Sequence, residues 1–190
     1  MNLSETCSHS LTAAHSHLRS KIAALCNFIA KMMLDDRMRF MDRIDRKLLN
    51  LLQSDASRTN VEMADAVGLS ASSCLRRVQR LHNSGVIDRI VAILNPAKAG
   101  RVLKALVTVE LKQHGEQQMR RFLDLASAEE AVSHAYAVTG ETDVVLMLRL
   151  RDMEEYDALC DRLFRDQNNV ARFFTMVVIK TAKEETAIRI

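Results

Sequence analysis

Residues 59–85 read TNVEMADAVGLSASSCLRRVQRLHNSG and contain two helical patterns separated by only three residues. Thr59 and Asn60 are both good N-caps for the first helix, and Gly68 suits its end because glycine readily adopts the left-handed conformation found there. Ser70 is positioned to cap the second helix. A three-residue, glycine-containing turn between two helices is typical of a helix-turn-helix.

A third amphipathic helix precedes this pair. Its apolar side chains recur at helical spacing from Asp42 onward, and the polar residues 53–57 end the pattern. These apolar residues are Ile44, Leu48, Leu51 and Leu52. Three short helices therefore fit residues 41–85, which we interpret as one helix-turn-helix domain.

The C-terminal half alternates strand-like and helix-like segments. In the order strand, helix, strand, strand, helix, strand, they span residues 102–111, 116–127, 132–138, 143–150, 153–164 and 170–180. This order is that of the ferredoxin-like βαββαβ fold, so the sequence predicts an α+β chain with such a domain at 101–190. Residues 86–100 are predicted to form a connecting strand, 86–94, and a linker.

Both faces of the last predicted strand are apolar. One face holds Phe173, Val177 and Ile179, and the other holds Phe174, Met176 and Val178. Two helices cover only one face of a four-stranded antiparallel sheet, and the open face is normally polar. A second copy of the sheet is the simplest cover for the second apolar face, so we predict a homodimer joined through residues 101–190.

The helix after the turn has the composition of a DNA-reading element. Residues 70–80 contain three arginines and no acid, with hydroxyl side chains in the leading turn. The residues expected to contact DNA are Ser70, Ser72, Ser73, Arg76, Arg77 and Arg80. Arginine can pair with guanine edges or with phosphates, and the sequence does not decide between these two contacts. The alternative to DNA binding is that these arginines form only a solvated basic face of a surface helix. In a dimer, two such helices would address successive major grooves about 34 Å apart.

Composition narrows the class of protein. The chain has 190 residues, 48% of them hydrophobic, and a formal net charge of +3. Residues 42–100 hold nine basic and six acidic groups, whereas residues 101–190 hold thirteen and fifteen. The four cysteines form no C-x-x-C pair, which indicates free thiols in a reducing, cytoplasmic compartment.

Residues 1–40 are expected to form a partly disordered N-terminal extension. Its most apolar run, residues 22–34, is shorter than the roughly 20 residues a membrane span requires, so neither a membrane nor a secretory role is expected. The extension also holds Cys7, His9, His15 and His17. These have no fixed ligand spacing, and we expect no metal and no cofactor.

Four sequence runs resemble a known family. They are MDRIDRKLL at 41–49, VGLS at 67–70, CLRRVQRL at 74–81 and GVI at 85–87. Together they closely resemble the Lrp/AsnC (leucine-responsive, feast/famine) transcriptional regulators over residues 41 to about 184. The resemblance implies a winged-type helix-turn-helix joined by a strand to a ferredoxin-like effector domain. It also implies amino-acid effectors and dimers that assemble into octamers or similar discs.

The resemblance extends to an effector loop. The family's Gly-x-x-Asp between the second and third strands is matched by Gly140, Glu141, Thr142 and Asp143. Gly140 permits a tight turn and Asp143 can accept an ammonium group, although the same pattern also suits an ordinary hairpin. Further residues align with positions that line or tune the site, or else belong to the core: Met153, Met176, Val177 and Val178.

Two departures from the family pattern matter. Thr142 stands where an aromatic residue is common, which leaves the identity of the effector open. Asp88, Arg89 and Ile90 follow Ile87 where Gly and Tyr are frequent, so the connecting strand is expected to pack differently.

Two rival functions remain open at this stage. One is an architectural DNA-binding protein that has no ligand. The other, less favoured, is a ferredoxin-like enzyme using groups such as His134 or Cys160, although no Ser-His-Asp order, P-loop or H-E-x-x-H is present. We therefore predict a DNA-binding regulator and not an enzyme. A ligand titration separates the regulator from the architectural protein.

Overall fold

The computed structural model describes residues 41–190, so expectations about residues 1–40, including Cys7, His9, His15 and His17, lie outside the described part of the chain. Contacts divide the described residues into two units. One comprises residues 41–93 together with 182–190, and the other comprises residues 94–181. The first unit thus differs from the predicted division, because the final residues 182–190 join the helical domain rather than the sheet domain.

The first unit is built on three helices: α1 (Arg43–Ser54), α2 (Asn60–Val67) and α3 (Ala71–Asn83). Thr59 and Glu62 form a capping box at the start of α2, which satisfies backbone N–H groups that a helix leaves unpaired. Gly68 ends α2 with φ 72°, a left-handed conformation that glycine adopts without steric cost. The predicted helix-turn-helix is therefore present, with its turn at Gly68.

A small aliphatic core holds these helices together. Leu48 of α1, Met63 and Ala64 of α2, and Cys74 of α3 are all buried. On α3, Cys74 takes the inward position while the next residue, Leu75, is exposed.

Residues 86–94 were predicted to form a connecting strand, but they have no strand conformation. A strand needs a neighbouring backbone to pair with, and here the N–H groups of Val86 and Ile87 donate back to the Leu81 carbonyl at the end of α3. Ile90, Val91 and Ile93, which suggested a strand, have exposed side chains.

The second unit is a four-stranded antiparallel sheet with two helices. Its elements are β1 (Leu103–Leu111), α4 (Glu116–Ser127), β2 (Val132–Ala137), β3 (Val144–Leu150), α5 (Met153–Leu163) and β4 (Val170–Val177). The strand order is β2-β3-β1-β4, with β1 and β3 in the centre. This is the predicted ferredoxin-like α+β arrangement, and the predicted element boundaries differ from the observed ones by at most three residues.

The core of this unit lies between the sheet and the two helices. Alternate residues of β1 and β3 are buried on the covered face, as the period of two in a strand requires. They pack against Phe122 of α4 and against Leu159 and Leu163 of α5.

The opposite face of the sheet is open and largely apolar. Direct strand pairing places Leu106 between Met147 and Met176, and Thr108 between Val145 and Phe174. Phe174 is 61% exposed and Met176 is 50% exposed. The predicted apolar face of Phe174 and Met176 is thus present.

The last strand is shorter than predicted. It ends at Val177, and Ile179 beyond it is 98% exposed. Of Phe173, Val177 and Ile179, which were predicted to share one face of this strand, Phe173 packs against the core. The run 178–180 lacks strand conformation, although the Val178 N–H still donates to the Lys104 carbonyl at 2.9 Å.

The C-terminal segment 182–190 belongs to the helical unit. The Gln53 side-chain amide of α1 donates to the Ile188 carbonyl at 2.9 Å and accepts from the Ile188 N–H at 2.7 Å. Ile188 and Ile190 also line an apolar cavity of about 580 Å³ with Leu49 and Leu52 of α1. Within residues 41–190, no helix is long and apolar enough to cross a membrane.

Candidate nucleic-acid interface and effector site

Serine hydroxyls cluster at the first turn of α3. The Ser70 hydroxyl accepts from the Ser73 backbone N–H at 3.3 Å and donates to the Ser73 hydroxyl at 3.0 Å, while Ser72 lies 3.2 Å away. Ser70 therefore acts as the N-cap of α3, and the leading turn presents small, polar side chains.

The three arginines of α3 have different surroundings. Arg76 is exposed and forms no ion pair with the described residues, whereas Arg77 and Arg80 are both bound by acids of α1 and its N-cap. All three line an open surface cavity together with Leu69 and Ser73. The structure thus brings most of the predicted DNA-contacting side chains onto one face, where Arg76 has no ion-pair partner among residues 41–190.

Asp45 is the centre of the arginine cluster. Its carboxylate is fully buried and accepts from Arg77 Nη1 at 2.9 Å and from Arg80 Nη2 at 2.6 Å. It also accepts from the Asp42 backbone N–H at 3.2 Å, which completes a capping box at the start of α1. Sequence reasoning used Asp42 only as the start of a helix and gave Asp45 no role.

Asp42 extends the cluster to the surface. Its carboxylate accepts from the backbone N–H groups of Ile44 and Asp45, both at 2.8 Å, and from Arg77 Nη1 at 2.7 Å. The Asp45 backbone hydrogen bond, followed by the one from Arg77, holds the pKa of Asp42 below its usual value. The hydrogen bonds from Arg77 to the carboxylates of Asp42 and Asp45 in turn raise the pKa of Arg77.

The predicted effector loop lies between β2 and β3. Gly140 has φ 128°, a conformation that side-chain-bearing residues rarely adopt, and the Thr142 hydroxyl donates to the Val109 carbonyl at 2.8 Å. Asp143 is only 3% exposed, and its carboxylate accepts from the Leu111 N–H at 2.9 Å with His114 Nδ1 3.5 Å away. The carboxylate that was expected to contact an ammonium group is thus already bonded to the end of β1.

The remaining predicted effector residues lie farther along the sheet from the loop. Met176 pairs with Leu106, and Val177 pairs with Ala105, far along β1 from the loop. Met153 begins α5, three residues after β3 ends. Because β3 spans seven residues at about 3.3 Å each, Met153 lies roughly 20 Å from the loop, whereas Met176, level with Met147, lies roughly 13 Å from Asp143 along the strands.

A cavity beside the loop contains residues that the sequence pattern did not single out. It measures about 380 Å³ and is lined by Thr108, Glu110, Glu141, Thr142, Arg172 and Phe174. Arg172 forms an ion pair with Glu110 directly opposite on β1, and its guanidinium lies 5.8 Å from the centre of the Phe174 ring. Only the register of β1 with β4 brings these residues together, so no local sequence signal identified them.

Comparison with known protein families agrees with the two-unit architecture. Residues 41–82 match the AsnC-type helix-turn-helix domain, and residues 104–188 match the Lrp/AsnC ligand binding domain. A helix-turn-helix joined to a ligand-binding domain defines a class of DNA-binding transcriptional regulator. The chain belongs to the Lrp/AsnC family within that class.

Individual relatives support the same assignment. The chain is 36% identical to an HTH-type transcriptional regulator of Sinorhizobium fredii over 87% of its own length and 97% of that protein. It is 33% identical to a leucine-responsive regulatory protein of Rhizobium meliloti over 79% and 96% of the two chains. The first alignment covers 166 residues, more than residues 41–190 contain, so it includes part of the N-terminal extension.

Solved structures show the same fold. The crystal structure of an AsnC family regulator from Agrobacterium tumefaciens matches with a TM-score of 0.74 and 30% identity, covering 78% of this chain and 96% of that one. A regulator of Neisseria meningitidis in complex with L-Met matches with a TM-score of 0.73 and 28% identity over the same shares.

Proposed function

We propose that this regulator reads duplex DNA through α3 and that an amino acid, bound by the sheet unit, changes this binding. The observation that supports the DNA contact best is Arg76, which is exposed and has no ion pair with any residue of the described part of the chain, beside a serine-rich leading turn on a helix-turn-helix. Leu75 is also exposed next to it, and an aliphatic side chain in the major groove suits a thymine methyl group.

Replacing Arg76 with alanine tests this contact. If Arg76 reads a base, we expect a loss of about 1–3 kcal/mol confined to one base pair; if it binds phosphate, we expect a uniform loss and a salt slope lower by about one. The measurement is fluorescence anisotropy with a duplex that the wild-type chain selects from a random library and with single-base variants of it.

Two further variants serve as controls. Arg76→Lys keeps the charge but not the planar fork, so it preserves a phosphate contact and loses a base contact. Arg89→Ala removes an arginine that is 78% exposed and lies outside the three helices. Unchanged affinity in Arg76→Ala, or an equal loss in Arg89→Ala, contradicts the assignment.

We further propose that the open face of the sheet joins two copies of the chain. Leu106, Val145, Met147, Phe174 and Met176 lie on one surface of adjacent strands, and soluble monomers rarely leave so continuous an apolar area uncovered. An identical surface on a second copy covers it by two-fold symmetry. The dimer also supplies the paired α3 helices that address two major grooves.

Phe174→Glu places a charge on this surface, and we expect it to convert the dimer into a monomer, because burying an unpaired carboxylate is strongly unfavourable. Sedimentation or light scattering of the full chain at micromolar concentration measures the change. Leu125→Glu, on the exposed side of α4, is the matched control and is expected to remain dimeric. A Phe174→Glu protein with the wild-type mass excludes this surface as the dimer interface.

The proposed effector is an amino acid. The complex of the related Neisseria regulator with L-Met supports this class of ligand, and the cavity beside Gly140 offers suitable chemistry in this chain. Arg172 can bind a carboxylate, Glu110 and Glu141 can bind an ammonium group, and Phe174 offers an apolar wall. In this arrangement Asp143 contributes by holding the loop to β1 rather than by contacting the ligand.

The proposed site extends across two copies of the chain. The loop Gly140 to Asp143 and the apolar group formed by Met153 and Val178 lie roughly 20 Å apart in one chain, so a single amino acid cannot touch both within it. A ligand between copies can meet the loop of one and the apolar group of another. Such a site would link ligand binding to the assembly of dimers into octamers.

A thermal-shift screen of the twenty amino acids on the full chain identifies the effector, because a ligand that binds only the folded state raises the melting temperature. A chain that binds DNA but responds to none of them is better described as an architectural DNA-binding protein. We place the action of this regulator in the cytoplasm, where its DNA target lies. The free thiols of Cys74 and Cys160 fit such a reducing compartment.

A further inference from the structure

Asp45 of α1 binds two of the three arginines of α3. Asp45 is fully buried, 32 and 35 residues from Arg77 and Arg80 in sequence, yet it accepts a hydrogen bond from each. Asp42 adds a second carboxylate to Arg77. The four side chains together carry no net charge, although α3 alone is strongly basic.

The two arginines are held to different degrees. Arg77 directs one nitrogen, Nη1, at both carboxylates, and its side chain is only 26% exposed. Arg80 directs one nitrogen at Asp45 and remains 56% exposed. A guanidinium has five N–H donors in a fixed plane, so binding one of them to a buried carboxylate fixes the direction of the others.

We infer that Asp45 is a specificity-determining residue of the DNA interface: it neutralises Arg77 and Arg80 and fixes their orientation, so that α3 binds DNA by directed contacts rather than by net charge. The inference rests on the proposed contact of α3 with DNA. It assigns the three arginines separate roles, with Arg76 free to read DNA, Arg80 oriented toward it and Arg77 retained within the protein.

The physical reason concerns competition with non-specific DNA. Non-specific affinity grows with the number of phosphates that the protein neutralises, and each added phosphate contact steepens the dependence on salt by about one unit of slope. Two mobile arginines on α3 would add such contacts to any sequence. A buried carboxylate that holds them removes this sequence-independent contribution and leaves the directed contacts in place.

Asp45→Asn in the full chain tests the inference, because asparagine keeps the shape and an acceptor for the Asp42 N–H but lacks the charge. Two probes are compared over a salt series: a duplex that the wild-type chain selects from a random library, and a shuffled duplex of equal length. We expect higher affinity for the shuffled duplex, a salt slope steeper by about one, and a ratio of selected to shuffled affinity lower by about tenfold.

Asp65→Asn is the matched control. It removes one negative charge from the exposed surface of α2 in the same unit and does not touch the arginine cluster. Its affinity ratio is expected to equal that of the wild type. An equal drop in both variants means that net charge alone is responsible and overturns the inference.

A second variant covers the case in which Asp45→Asn does not fold. Asp42→Asn retains a good N-cap residue and removes one of the two carboxylates on Arg77, so a smaller change in the same direction is expected. If folded variants lose affinity for both duplexes in proportion, Asp45 has only a structural role and the inference fails. If the wild-type chain selects no duplex at all, the proposed DNA contact itself fails.

Discussion

Replacing both Arg77 and Arg80 with alanine is expected to lower the free energy of unfolding of the helical unit by about 3 kcal/mol, the lower end of the cost of leaving a buried carboxylate unpaired. Asp45 is fully buried and accepts from both arginines, so the double variant leaves its charge without a cation. The lower end applies because Arg80 is half exposed and part of its interaction is screened by solvent. Urea unfolding followed by circular dichroism measures the change.

Two comparisons isolate the cause. Arg43→Ala with Arg46→Ala removes two exposed arginines of α1 and is expected to leave the stability within about 0.5 kcal/mol of the wild type. Adding Asp45→Asn to the Arg77 and Arg80 double variant removes the unpaired charge and should recover a large part of the loss. No recovery in this triple variant would mean that the arginines stabilise the unit by packing rather than by compensating Asp45.

Asp143→Ala is expected to abolish the response to the amino acid found in the screen and to leave ligand-free DNA affinity nearly intact. The carboxylate of Asp143 is buried and accepts from the Leu111 N–H, so its loss releases the loop that borders the cavity of Glu110 and Arg172. The response is measured as the ligand-induced change in oligomer mass and in DNA affinity, with coupling of about 1–3 kcal/mol in the wild type.

Asp143→Asn separates the two roles considered for this residue. Asparagine retains an oxygen that can accept from Leu111, so a positioning role predicts a ligand response close to that of the wild type. Direct pairing with an ammonium group predicts that Asp143→Asn fails as completely as Asp143→Ala. If Asp143→Ala itself responds like the wild type, the loop is an ordinary hairpin connection and the proposed effector site is wrong.

The elements of both units were predictable because their signals are local. Spacing of apolar residues predicts α1, and the caps Thr59, Gly68 and Ser70 predict the bounds of α2 and α3. The order of strands and helices predicts the sheet unit, since few topologies accommodate that order. The failed prediction, a strand at 86–94, used β-branched composition alone, which does not supply a pairing partner.

The candidate sites were predictable only in part, because their geometry depends on distant residues. The arginines of α3 stand out in sequence, but their binding to Asp45 crosses more than thirty residues and gives no local signal. Asp143 was identified by its motif, whereas its burial follows from the packing of the loop against the end of β1. Glu110 and Arg172 face each other through strand register alone.

The hydrogen bonds between the Gln53 side chain and Ile188 affect when the helical unit can finish folding during translation. The helical unit includes residues 182–190, so its sequence is interrupted by the entire sheet unit. During synthesis, the three helices leave the ribosome long before this segment does. The helical unit is therefore completed only after the whole sheet unit has been translated, and a fragment ending at residue 93 would leave the Gln53 amide without its Ile188 partner.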